Sequence, residues 1–127
     1  MDPTSLPPDL VQFLHARIDS VPELEALLLM HGNPAVAWDS GALAERLYVS
    51  VRESALILAK LARLGLVTAA EGHAFRFDRA SGDAATVERL AQSYQKHLSM
   101  IARIIHDKPA LGLREFAQAF TVKRRED

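Results

Sequence analysis

The stretch "VSVRESALILAKLARLGLV", residues 49–67, decides how the rest of the chain is read. Ser50 and Glu53 have the S-x-x-E spacing of a capping box, in which a hydroxyl and a carboxylate satisfy N–H groups of a first helical turn. The helix they open is predicted to run to about Leu64, with Gly65 ending it. At 100° per residue, Ser54, Ile57, Leu58, Leu61 and Leu64 fall on one side and should face a core. The other side gathers Arg52, Leu56, Ala59 and Arg63, with Ala55 and Lys60 at its borders.

Upstream, Leu10, Phe13, Leu14 and Ile18 recur at helical spacing behind Pro7-Pro8, predicting a short helix over about 8–18. Ser20 and Glu23 make a second capping box, and the helix it opens should end at "HGNP". There Gly32 is expected to take a left-handed cap. "AVAW" (35–38) reads as a short edge strand that pairs with a later hairpin. Asp39 or Ser40 then caps a helix carrying Leu43, Ala44 and Leu47.

Downstream, "LVTAAEGHAFRFD" (66–78) alternates and turns at Glu71-Gly72, as a two-stranded hairpin does. Phe75 and Phe77 share its inward face. A long helix is predicted over 84–106, on Val87, Leu90, Tyr94, Leu98, Ile101 and Ile105, before "DKP" breaks it. A last short helix, "ALGLREFAQAF", precedes the charged end "KRRED".

Helix, short strand, helix, turn, helix, hairpin is the order of a winged helix-turn-helix. "LAERLYVSVRESALILAKLARLGLV" (43–67) resembles the core of the MarR and ArsR groups of bacterial regulators. "LREFAQAF" is similar to the ends of small bacterial winged-helix proteins of unassigned activity. The fold class expected is mainly α with a small β-hairpin wing: a winged helix-turn-helix core plus flanking N- and C-terminal helices. Residues 1–19 form a helical arm, 20–80 the winged core, and 81–127 the long helix, the last helix and the tail, all in one domain. Tyr48 stands where such motifs often carry glycine, so either a left-handed turn there is strained or the turn is built differently.

The resemblance implies a homodimeric regulator of transcription, and the lack of a targeting pattern makes the cytoplasm its expected compartment. It would bind double-stranded DNA and dimerise through the helices flanking the core. A helix in the major groove would present Arg52 for two hydrogen bonds to guanine. Lys60 and Arg63 would reach phosphates, Leu56 could touch thymine methyls, and Arg76 would serve from the wing. The same cations also read as solvated charges on an amphipathic helix.

Charge points to a second reading. The 127 residues carry a net charge of −1, low for a protein that grips phosphates. Residues 1–38 hold one basic and five acidic side chains, and 39–82 hold six basic and five acidic. The wing tip, Glu71-Gly72-His73, is acidic. Leu56 among alanines, rimmed by Arg and Lys, has the anatomy of a protein contact. The alternative is therefore a winged helix used as a protein-interaction module without DNA binding.

Other chemistries find no pattern. The chain has no cysteine, so disulfides and thiolate metal sites are excluded. Its five histidines form no H-x₃-H pair, and no metal or cofactor is expected. "GDAATVERL" lacks the lysine of a phosphate loop, and no nucleophile-and-base order suggests an enzyme. The start lacks the pattern of a signal peptide, and no apolar run reaches the roughly 20 residues of a membrane span.

Overall fold

The computed structural model describes residues 6–94 and 96–107. Among them are six helices and one antiparallel hairpin, so the chain is mainly α with a small β wing. The expected last helix at 110–120 and the basic cluster Lys123, Arg124 and Arg125 lie outside the described residues.

Helix α1, Pro8–Arg17, begins with a proline at its first position and ends at Ile18, whose N–H donates to the Leu14 carbonyl. Its residues Leu10 and Leu14, with Ile18 just beyond, are fully buried. The segment expected to be an arm is thus part of the core.

Helix α2, Val21–Gly32, starts where Ser20 Oγ accepts the Glu23 N–H at 3.2 Å. Glu23 reaches back one residue further than a reciprocal capping box requires, accepting the N–H of Asp19 at 2.9 Å. The expected left-handed cap at Gly32 is not used. The helix continues through Gly32 and ends at Asn33 (φ −134°), whose side-chain amide donates to the Leu29 carbonyl at 2.9 Å. That bond satisfies one of the last orphan carbonyls, which is what a glycine cap would otherwise do.

Asp39 caps α3, Ser40–Leu47, with Oδ1 accepting the Ala42 N–H at 2.8 Å. Tyr48 then takes the left-handed conformation (φ 58°, ψ 44°) and turns the chain into α4, Val51–Arg63. Ser50 Oγ accepts the Glu53 N–H at 3.0 Å, and Gly65 (φ 76°) leads the chain out. Along α4, Ser54, Ile57, Leu58 and Leu61 are buried. Each of the three large aliphatic side chains contributes about 2 kcal/mol by leaving water.

Strand β1, Val67–Ala69, pairs with β2, Phe75–Phe77, in the register Val67 to Phe77 and Ala69 to Phe75. Glu71–His73 makes a single 3₁₀ turn between them, with Gly72 and His73 at positive φ. Trp38 joins the outer edge of β2, exchanging both backbone hydrogen bonds with Phe75 at 2.7 and 2.9 Å. "AVAW" therefore contributes one bridging residue to the wing rather than a strand.

The expected long helix is two: α5, Ala84–Tyr94, and α6, Leu98–Asp107. Helical bonds persist through the bend, from His97 N–H to Ser93 and from Ile101 N–H to His97. Both halves pack on α1. A straight helix over 84–107 would be about 36 Å long, whereas the 10 residues of α1 span about 15 Å. Bending lets Val87 and Leu90 on one half and Ile101 and Ile105 on the other enter the same core. No helix among the described residues is long and apolar enough to cross a membrane.

Candidate functional site

Burial of Ile57, Leu58 and Leu61 sets the rotation of α4, and its other face is open to solvent. Arg52, Ala55, Leu56, Ala59 and Arg63 are all exposed. Arg52 and Leu56 stand one turn apart, as do Val51 and Ala55, so the first two turns carry a mixed cationic and apolar surface. Leu56 is 62% exposed, Val51 56% and Tyr48 94%. On the wing, Arg76 points outward between inward-leaning Phe75 and Phe77.

The cations divide into two groups. Arg52, Arg63 and Arg76 make no ion pair or side-chain hydrogen bond among the described residues. Lys60, expected to reach phosphate, is committed instead to the protein itself. Its ammonium donates to Asp19 Oδ2 at 2.6 Å and to Glu23 Oε1 at 2.7 Å. The Lys60 side chain is 19% exposed. Burial works against its charge, but the hydrogen bonds to Asp19 and Glu23 and the charges of these two carboxylates together outweigh burial and raise its pKa above the ordinary lysine value. An ammonium held by two carboxylates is neutralised from the standpoint of a nucleic acid, so Lys60 positions α4 against the start of α2.

A second clamp works one turn further along, where the same helix ends. Arg17 Nη1 donates to the Leu64 carbonyl at 3.1 Å, satisfying an orphan acceptor at the end of α4, and lies 3.3 Å from Asp83. Arg46 of α3 stacks its guanidinium over Trp38 at 5.5 Å, tying α3 to the wing edge. Sequence reading missed these roles. Arg17 is the sole cation of residues 1–38, a composition signal, but its partners are 47 and 66 residues away.

Negative groups flank the open face. A groove of about 510 Å³ runs beside the start of α4, where Asp39 and Glu45 border Ala42, Val49 and Val51. Glu71 is exposed at the wing tip. The surface is therefore three separated guanidinium groups around an apolar centre, and not a continuous positive stripe. Elsewhere, Arg89 pairs with Asp9 on the outside of α1, with Nη2 to Oδ1 at 3.2 Å, and the hydrogen bonds from Arg89 hold the Asp9 carboxyl below its usual range. Among the described residues, no three His, Asp or Glu side chains gather as metal ligands.

The helices expected to make a dimer spend much of their apolar surface on α1 within one chain. Ile101 and Ile105 are buried there, while Leu98 is half exposed and Met100 and Ile104 are partly covered. Comparison with protein-family models, curated proteins and solved structures finds no match for this chain.

Proposed function

We propose that the chain is a DNA-binding regulator of transcription that lays α4 in the major groove and rests its wing on the adjacent backbone. The observation that carries this reading is the unpaired state, among the described residues, of Arg52, Arg63 and Arg76 on the outward faces of α4 and β2, while Arg17, Arg46 and Lys60 are paired or stacked. Arg52, in the first turn of α4, is the base reader, and Arg63 and Arg76 are the phosphate contacts. The work is binding rather than catalysis, in the cytoplasm. A second copy would join at the apolar side chains that α6 leaves uncovered or partly covered, Leu98, Met100 and Ile104, and two-fold symmetry suits a palindromic site.

The exposed apolar side chains Tyr48, Val51 and Leu56, at and near the start of α4, favour a second reading, in which this end of the helix docks a protein. The two readings separate by substitution. Under the first, Arg52→Ala, Arg63→Ala and Arg76→Ala each weaken duplex binding several-fold, and Leu56→Asp weakens it by adding a negative charge. Duplex affinity that is unchanged in all three arginine variants sinks the DNA reading.

A further inference from the structure

We propose that the groove where α2, β2 and α5 meet binds a small organic monoanion, a single carboxylate carried on a compact apolar body. The groove has a volume of about 570 Å³, within the range of small-molecule sites. Pro34, after the end of α2, Phe77 of the wing and Ala84 at the start of α5 supply apolar walls. None of these residues lies on the outward face of α4, so the site is separate from the DNA reading.

The charged groups of the lining select the ligand. His31 Nε2 lies 2.8 Å from Glu88 Oε1, and the His31 ring meets Phe77 edge-on at 5.1 Å. His31 and Glu88 thus answer each other. Arg79 lines the same groove and has no ion pair or hydrogen bond among the described residues. It is the group left to meet a carboxylate, which a guanidinium holds with two parallel hydrogen bonds. Glu88 also lines the groove and repels a second negative charge, so the site favours a monoanion over phosphate. Because the walls come from both the wing and α5, an occupant would tie the two together.

Cyclohexanecarboxylate serves as the probe, with cyclohexanecarboxamide as its neutral match and inorganic phosphate as the anion without an apolar body. In amide NMR titrations of the full chain, the carboxylate is expected to give saturable shifts at Gly32, Phe77, Ala84 and Ala85. The amide, and Arg79→Gln with the carboxylate, should each bind at least about tenfold more weakly, the loss of one charge-assisted contact. Arg79 is exposed, and an unchanged spectrum without probe checks that the variant folds. Ala85→Leu, which fills the groove from an exposed position of α5, should abolish the shifts independently. Equal affinity for carboxylate and amide, indifference to Arg79→Gln, phosphate binding as tightly as the probe, or no saturable shift at these residues would each overturn the proposal.

Discussion

Replacing Lys60 by methionine keeps the methylene stem over the helix junction and removes only the ammonium that joins α4 to Asp19 and Glu23. Fully exposed pairs contribute below about 1 kcal/mol, and breaking a buried pair costs about 3–5 kcal/mol. With Lys60 at 19% exposure, Glu23 at 15% and Asp19 at 38%, the loss falls between these limits, at about 2 kcal/mol. In a domain of this size that lowers the unfolding midpoint by roughly 8 °C. Thermal unfolding followed by circular dichroism measures it, with Arg63→Met, an exposed and unpaired cation of the same helix, as the control expected within about 0.5 kcal/mol of the parent. The pH dependence supplies a second signature. Because the folded pKa of Lys60 is raised, its stabilisation is fully present below the ordinary lysine value of 10.5 and is lost as pH climbs through the folded value. The gap between parent and variant should therefore narrow only in strong alkali. A Lys60→Met midpoint equal to the parent's would refute the clamp and return Lys60 to the solvent-facing set.

Ser54→Ala is expected to stabilise by about 1 kcal/mol in urea unfolding, since the Ser54 hydroxyl is fully buried and has no hydrogen-bond partner among the described residues. Tyr48→Gly should raise the midpoint slightly, by about 0.5 kcal/mol: relief of left-handed strain exceeds the entropy a glycine adds to the unfolded chain, and a side chain 94% exposed packs on little. Asp9→Asn should leave stability unchanged at very low pH and lower it near neutrality. The Asp9 pKa is depressed in the fold, so its contribution is present above the ordinary carboxyl value and disappears as pH falls through the folded one. Light scattering at micromolar concentration should give the mass of two chains if α6 joins a second copy, and a single-chain mass removes that part of the proposal.

Local signals made much of the fold legible. Ser20, Asp39 and Ser50 each cap the helix their position announces, because a cap needs only a side-chain oxygen three residues from its N–H. The outward rotation of Arg52 and Leu56 follows from helical periodicity alone. What escaped depends on distance along the chain. Lys60 meets Asp19 and Glu23 across 41 and 37 residues, and no spacing rule links them. The bend between α5 and α6 carries no proline or glycine to mark it, and comes from the short length of α1 beneath. At Gly32 a local rule misled, since the Asn33 amide does the capping. The groove at His31 and Arg79 is assembled from three elements, which no linear pattern brings together.

The salt dependence of duplex binding tests the central reading most directly. The two phosphate contacts of each chain, Arg63 and Arg76, predict that log K falls against log salt concentration with a slope of about −1.8, or about −3.6 for a pair of chains. Substituting Arg63 and Arg76 together should bring that slope toward zero, while Lys60→Met should leave it where it was. Failure to bind mixed duplex even at low salt would contradict the DNA reading and leave Tyr48, Val51 and Leu56 as a surface for a protein.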